Sequence, residues 1–371
     1  MRIGFNGLRL SGQRFGIGRY IEYLLRHWSD QLDADERVVI YVREPFDGAE
    51  LGLSDRFDVQ ELSSRFNGVL WEQFVLAPRW RETDVLFCPS YTIPLHYRGR
   101  TVVATHSVNE AEPGAHSRWY GLTYGLRNRV CARRANAVIV PSETVRSHVT
   151  ELYGVRQDRI TIVPEGADDS FAPIQDERVL SETRKRFFGE DVPYVLFVGK
   201  FSQRRNIPAL IEAFGAVKRS NGFPHKLLLY GSNVHNLPLD QIARDAGVEH
   251  DVVQLNEQLA EHRDIIPVYS AADLYVFPSL YEGATLTTVE AMACGVPVVT
   301  VNRGAVAEIV GDSALTVDEP TPERLAAAIQ RVLGDDELRA SLGRKAEERS
   351  RMFRLGDTAQ RTLEAIRRAA A

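Results

Sequence analysis

The sequence predicts an α/β protein of two doubly wound, parallel-sheet domains, on three observations. Short runs rich in Val, Ile, Leu and Phe recur, and they are apolar throughout rather than in alternation, as suits strands buried on both faces. In the first half they are Ile3–Phe5, Val38–Val42, Val85–Cys88, Val102–Thr105, Ala137–Val140 and Ile160–Val163. In the second half they are Tyr194–Val198, Leu227–Tyr230, Val252–Leu255, Leu274–Phe277, Val296–Val301 and Leu315–Val317. Helical periodicities fill many of the gaps, among them Tyr20–Trp28, Trp119–Arg134, Ile207–Lys218 and Pro322–Leu333. Strand alternating with helix implies a parallel sheet covered by helices.

The third observation is a break after Val163. Pro164–Pro173 (PEGADDSFAP) is polar, acidic and bounded by prolines, which reads as a linker between six strands and six more. The expected domains are 1–170 and 171–353. A charged helix, Asp336–Phe353, and a second one, Asp357–Ala370, are separated by Gly356. The terminal segment 354–371 is expected to pack back on the first domain. Two such sheets facing each other leave a cleft at the carboxyl ends of their strands, where ligands bind in such folds.

Bulk properties narrow the function classes. The chain of 371 residues is 44% hydrophobic and 26% charged, enough to bury a core in both halves without a covalent staple. Its net charge of −5 argues against a nucleic-acid binder that works by phosphate neutralisation. Cys88, Cys131 and Cys294 are scattered without metal-ligand or redox-motif spacing, so three buried thiols in a reducing cytoplasm are expected. The N-terminus, MRIGFNG, reads as a short strand rather than a signal peptide. No apolar run approaches the roughly 18 residues of a membrane span, so any membrane contact is expected to be peripheral.

Ala272–Thr300 (ADLYVFPSLYEGATLTTVEAMACGVPVVT) carries the strongest chemical signal. A strand ends at Phe277, a loop follows over Pro278–Gly283, and a helix is expected to start near Thr287 or Thr288 and to stop at Gly295. Glu282 then lies in the loop and Glu290 in the first helical turn, spaced as E-x7-E. Thr287 and Glu290 also fit a capping box, in which Glu290 would only satisfy backbone N–H groups. A helix N-terminus at the end of a parallel strand is equally an anion site, and carboxylates beside it can accept hydrogen bonds from sugar and ribose hydroxyls.

The run PSLYEGATLTTVEAMACGVPVV resembles the signature of glycosyltransferase family 4, which has the GT-B fold and retains anomeric configuration. The resemblance implies that Glu282 contacts the donor sugar and Glu290 the ribose, with Gly283, Ala284, Thr285 and Leu286 forming the donor-binding loop. The family usually reads E-G-F-G-L-P. Thr285 here replaces a glycine whose backbone commonly meets the diphosphate, so the Thr hydroxyl is a candidate phosphate contact.

A second motif, Phe197–Asn206 (FVGKFSQRRN), runs from a strand into a loop carrying Lys200, Arg204 and Arg205, with a helix expected from about Pro208. Cations just past a buried strand suit a leaving diphosphate, whose negative charge grows in the transition state. A solvated basic loop is the alternative. The segment resembles the family pattern F-V-G-R-x-x-x-x-K-N, which puts Lys200 and Arg205 at the two cationic positions beside Gly199, with headgroups exchanged.

Two further elements lie in the first half. His106, in Thr105-His106-Ser107 at the close of the fourth predicted strand, is by itself as well explained by a structural role. The family reads T-x-H-D or V-H-D there, which implies a histidine near the donor sugar, with Ser107 in place of the usual aspartate. Gly16-Ile17-Gly18-Arg19-Tyr20 resembles the family's T-G-I-G-R-Y. Gly16 and Gly18 would let backbone approach phosphates or acceptor, although an ordinary loop-to-helix junction reads the same way. Leu70–Gln73, Pro141–Glu143 and Val163–Gly166 also resemble family landmarks; the last usually reads P-N-G, so Glu165 departs.

Asp33-Ala34-Asp35 matches the D-x-D of metal-dependent transferases but sits in an acidic connector and reads as a solvated turn. The stretch 118–134 carries Arg118, Arg127, Arg129, Arg133 and Arg134 among Trp119, Tyr120, Leu122, Tyr124 and Leu126. It could touch an anionic membrane or be a solvated helix face. The expectation is a retaining glycosyltransferase that needs neither metal nor cofactor. It would move a hexose from a nucleoside-diphosphate sugar, GDP-mannose or a UDP-hexose, to a hydroxyl acceptor. A GT-B-like epimerase or noncatalytic sugar-nucleotide binder is the alternative. An NAD-dependent oxidoreductase would require a tight G-x-G-x-x-G turn, which the sequence lacks.

Overall fold

The computed structural model describes residues 1–10, 16–108, 121–221, 223–233, 235–256 and 261–371. The chain divides into two compact units: Met1–Gly166 together with Leu355–Ala371, and Ala167–Arg354.

Among the described residues, unit 1 holds a seven-stranded, wholly parallel sheet. Its strands are β1 (Arg2–Asn6), β2 (Arg37–Val42), β3 (Phe57–Glu61), β4 (Val85–Cys88), β5 (Arg100–Ala104), β6 (Ala137–Val140) and β7 (Ile160–Ile162), in the order β3-β2-β1-β4-β5-β6-β7. Side chains alternate across the pleat into two cores. Val38, Ile40 and Val42 of β2 enter one, and Val39 and Tyr41 enter the other. Burial on both faces explains the unbroken apolar runs. The apolar runs of the sequence mark six strands here and leave out β3. That edge strand reads FDVQE and is only half-buried, so it lacks the continuous apolar signal.

Unit 2 holds a six-stranded parallel sheet: β8 (Tyr194–Val198), β9 (Lys226–Tyr230), β10 (Val252–Leu255), β11 (Leu274–Phe277), β12 (Val298–Val301) and β13 (Leu315–Val317), in the order β10-β9-β8-β11-β12-β13. In each sheet the strand order reverses at one point, between β1 and β4 in unit 1 and between β8 and β11 in unit 2. Loops leaving the carboxyl ends of such a strand pair part to opposite faces and open a crevice.

The segment expected to be a linker is partly built into unit 2. Ala167 pairs with Arg354 in an isolated bridge, and its N–H donates to Phe353 O at 3.0 Å. Phe171 is buried against the rings of His262 and Tyr269. The C-terminal break also moves. One helix spans Asp336–Ser350 and the next Leu355–Ala370, so Gly356 lies inside a helix rather than between two.

The helix Leu355–Ala370 packs on the helix Ile17–Gln31 and on the sheet of unit 1. It buries Leu355, Ala359, Leu363 and Ile366. Trp28 Nε1 donates to Ala359 O at 2.9 Å, Gln31 Nε2 donates to Gly356 O at 3.0 Å, and Arg367 holds Glu36 at 2.6 and 2.9 Å. Burial would raise the Glu36 carboxyl, but the Arg367 guanidinium outweighs it and holds the group below its ordinary range.

Unit 1 therefore depends on a segment far from it in sequence. Ile366→Ala is expected to lower the stability of unit 1 by about 2–5 kcal/mol, read from the denaturant midpoint of its unfolding transition. An unchanged midpoint would mean that the terminal helix is only appended.

Candidate functional site

In unit 2 the loops that leave β8 and β11 meet. The chain turns sharply off β8 at Gly199 (φ 144°) and off β9 at Gly231 (φ 148°). A Cβ on Gly231 would overlap the carbonyl oxygen of Gly199, so the two exits touch only because residue 231 is glycine; a Cβ on Gly199 would instead meet Arg205 Nη1. Gly199 N donates to Tyr230 O at 2.9 Å, and Phe201 N donates to Ser232 O at 2.8 Å. A short 3-10 turn follows at Gln203–Arg205, then Asn206 in the left-handed region (φ 55°) and the helix Ile207–Asn221, which starts one residue before Pro208.

Glu282, only 7% exposed, is the junction of the two loops. Its carboxylate accepts from Ser279 Oγ at 2.9 Å and pairs with Arg204 Nη1 at 2.8 Å and Arg205 Nε at 3.1 Å. Arg204 ties the loops twice more. Its carbonyl accepts from Leu280 N at 2.9 Å, and its guanidinium donates to Tyr281 O. Arg205 lies over the Phe277 ring, 5.1 Å from the centroid, with Nη1 directed at Gly199. That Nη1 is buried and makes no hydrogen bond among the described residues. Lys200 is exposed on the same loop.

Gly283, Ala284 and Thr285 lead into the helix Leu286–Ala293. The helix starts earlier than the sequence suggested, so Glu290 is its fifth residue and lies beyond the first turn. The capping-box alternative fails on the geometry. Thr285 is the N-cap residue and makes no side-chain cap bond. Thr287 Oγ1 accepts from Tyr275 OH at 3.0 Å, and Thr285 and Thr288 share a hydroxyl hydrogen bond of 2.8 Å. Glu290, 3% exposed, instead accepts from His262 Nε2 at 2.7 Å and Tyr269 OH at 2.8 Å.

In unit 1 His106 lies just beyond β5, beside the exit of β4. Nδ1 is 2.5 Å from Glu165 Oε1, and Nε2 donates to Pro89 O at 2.8 Å. The Tyr20 and Tyr91 rings meet the imidazole edge-on at 4.8 and 5.6 Å. Burial disfavours the charged ring. The charge and hydrogen bond of Glu165, with the Pro89 carbonyl, outweigh it and raise the His106 pKa above its ordinary value. Ser107 Oγ shares a 2.9 Å hydrogen bond with Tyr91 OH. Tyr91 itself has φ 60°, a strained value for a residue with a side chain.

Gly16 caps the helix Ile17–Gln31 with φ 50° and ψ −104° and no side-chain bond. Gly18, buried, stands two residues before Tyr20 and so on the helix that carries the ring against His106. Glu72, 2% exposed, accepts from Asn6 Nδ2 at 2.7 Å and Thr92 Oγ1 at 2.9 Å, tying the exit of β1 to that of β4. Burial pushes its carboxyl pKa up.

The structure thus joins Gly199, Arg205 and Glu282 in one cluster, sets Glu290 in a second, and places His106 with the Gly16–Gly18 helix start in unit 1. Sequence reading did not assign Arg204, Ser279, His262 and Tyr269. Glu165 was visible only as a departure from a familiar triplet. Among the described residues no three or more His, Cys, Asp or Glu side chains gather as a metal site. Asp33 pairs with Arg367 at 3.1 Å, and Asp35 meets the N-terminal ammonium at 3.4 Å. All three cysteines are free and buried. No described helix is long and apolar enough to cross a membrane. Arg118, Trp119 and Tyr120 lie outside the described residues; Tyr124 and Leu126 are exposed.

The family model "Glycosyltransferase Family 4" matches residues 16–171, and "Glycosyl transferases group 1" matches residues 181–349. The O-antigen chain mannosyltransferase B of Escherichia coli is 26% identical over 245 residues, 63% of this chain and 61% of that protein. The D-inositol 3-phosphate glycosyltransferase of Kineococcus radiotolerans is 29% identical over 254 residues, 63% of this chain and 58% of that protein. The match thus spans less than two thirds of these relatives' lengths. Anabaena Alr3699/HepE in complex with UDP-glucose superimposes with a TM-score of 0.80 at 18% identity, over 99% of this chain and 100% of that one.

The glycine contact between the strand exits yields a stability test. Gly231→Ala is expected to cost about 1–3 kcal/mol or more, from a strained backbone together with a steric overlap. Gly189 also has positive φ (76°), but a Cβ there meets nothing within 4 Å, so Gly189→Ala should cost less. Equal shifts in denaturant midpoint would dismiss the overlap.

Proposed function

We propose that this chain, which belongs to glycosyltransferase family 4 and has the GT-B fold, is a retaining, metal-independent hexosyltransferase that uses a nucleoside-diphosphate sugar. The observation that carries the reading is the Gly199–Arg205–Glu282 cluster. A cation with an unpartnered N–H and a buried carboxylate stand where the strand order of unit 2 reverses. Arg205 and Lys200 would take the diphosphate, with Gly199 leaving room for its approach and the 283–286 loop supplying backbone N–H groups. Glu282 would accept from a hydroxyl of the donor sugar, and Glu290, held rigid by His262 and Tyr269, from the ribose.

In the reaction the bond from the anomeric carbon to the diphosphate oxygen breaks. A bond to the acceptor oxygen forms on the same face. The acceptor's proton passes to the departing phosphate oxygen. Arg205 and Lys200 act on the charge that grows on that leaving group, so they favour the transition state over the bound donor. We also assign His106, of unit 1, to the support of the developing charge.

GDP-mannose or a UDP-hexose is the donor we favour. A mannosyltransferase among the relatives and a UDP-glucose complex among the similar structures support this choice. The acceptor would be a hydroxyl of a glycan, a lipid-linked glycan or a small molecule. We place the enzyme in the cytoplasm; exposed Tyr124 and Leu126, among the arginines of 126–134, are either a solvated helix face or the surface for peripheral contact with an anionic membrane.

Thermal shift with UDP, GDP and ADP tests the reading directly. One nucleotide should stabilise the protein by about 2.7 kcal/mol at a hundredfold excess over its Kd, and a shift with none would sink the transferase assignment. Glu282→Ala and Arg205→Ala should each lower kcat/KM by about 100- to 1,000-fold, while EDTA leaves turnover unchanged. Loss of activity in EDTA would instead point to a metal-dependent transferase.

A further inference from the structure

His106 has no nitrogen left for a substrate. Nε2 faces the Pro89 carbonyl oxygen, which can only accept, so Nε2 carries a proton. Nδ1 faces a carboxylate oxygen of Glu165, which accepts when ionised. Two acceptors on one ring select the doubly protonated imidazolium. The pair is well covered, with side-chain exposures of 11% for His106 and 10% for Glu165.

Glu165 is itself braced. Thr358, on the terminal helix, donates through Oγ1 to the carbonyl of the preceding Pro164 at 2.8 Å. The same helix packs on the helix Ile17–Gln31, which carries Tyr20, the ring that meets His106 edge-on. The other groups around the imidazole are the Tyr91 ring and its partner Ser107. Among the described residues Glu165 is the one charged group that shifts the ring's titration.

We infer that Glu165 is a positioning residue for the transfer reaction. It holds His106 as a fixed imidazolium that acts through its charge and does not exchange a proton with substrate. The inference rests on the proposed transferase function for its kinetic consequence, but the ion pair can be observed without any substrate. The pairing joins residues 59 apart in the chain, so Glu165, which departs from the P-N-G that its stretch resembles, acquires a partner that its spacing does not announce.

Two measurements test this. In the first, the His106 ring is followed by nitrogen-detected NMR titration, its signal assigned by loss in His106→Asn. In wild type both nitrogens should stay protonated above the ordinary histidine range. In Glu165→Gln the midpoint should fall, and in Glu165→Asp it should recover in part. An unchanged midpoint in Glu165→Gln overturns the inference.

In the second, kcat is measured against pH with the donor identified by nucleotide binding. The wild-type rate should stay level through the ordinary histidine range. The rate of Glu165→Gln should fall about tenfold per pH unit above the lowered midpoint and recover at lower pH, with donor KM changing less. A parallel drop at every pH would mean a structural role only, and would also overturn the inference. Should Glu165→Gln fail to fold, Glu165→Asp carries the same comparison through a smaller shift of midpoint. Absence of nucleotide binding in wild type would remove the transferase reading, while the NMR result would stand or fall on its own.

Discussion

A carboxylate taken out of water has to be paired, because an isolated buried charge costs far more than a fold can offset. Glu282 answers that constraint with Ser279, Arg204 and Arg205, and in doing so it sets the geometry of unit 2 at its most consequential point. Parallel strands β8 and β11 send their loops to opposite faces. Nothing in the sheet itself holds those loops together. The Glu282 cluster does, with the Arg204 carbonyl and guanidinium closing the seam on Leu280 and Tyr281. The glycine-on-glycine contact of Gly199 and Gly231 then lets the β8 loop run close to its neighbour without a side chain in between.

The same constraint recurs at buried Glu72 and Glu290 and at the partly covered Glu165, and each time a pairing fixes a loop. Glu72 joins the exits of β1 and β4 through Asn6 and Thr92. Glu290 is held by His262 and Tyr269, which also enclose Phe171 from the segment entering unit 2. Glu165 fastens His106. The partners differ in character, and so do the consequences. Burial raises the Glu72 pKa, and its neutral donors Asn6 and Thr92 offset that only in part. The cationic partners of Glu282 keep a charged cluster in place beside a strand exit.

Much of this fold was legible because double-sided burial writes unbroken apolar runs, and those runs locate twelve of the thirteen described strands. The exception, β3, is an edge strand with Asp58, Gln60 and Glu61, whose half-burial erases the signal. Boundaries were less legible where several residues could serve as a cap. Thr285, Thr287 and Thr288 all qualify by type, and only the geometry selects Thr285, moving Glu290 out of the first turn. Gly356 looked like a break, yet its helix is held by packing on unit 1, which overrides the weak propensity of one glycine. Pairings between distant segments were not legible at all. Neither periodicity nor spacing joins Glu165 to His106 or Glu290 to His262. Adjacent Arg204 and Arg205 look alike in sequence, although one closes the seam and the other keeps a donor unused.

That unused donor bears on what the site is for. A buried N–H without an acceptor costs about 1–3 kcal/mol, and proteins rarely tolerate one without a reason. Arg205 could in principle turn its guanidinium, but the Phe277 ring beneath it and the Glu282 carboxylate at Nε hold the plane fixed. The result is a cation oriented before any ligand arrives, with its free Nη1 toward the glycine that leaves β8. An arrangement selected for stability alone would have filled that position with an acceptor from the protein. An anionic oxygen brought by a ligand would remove the penalty on binding, and more so as its charge increased during departure. The cost of that unpartnered N–H and the affinity for a leaving diphosphate that we propose would then be two aspects of one geometry.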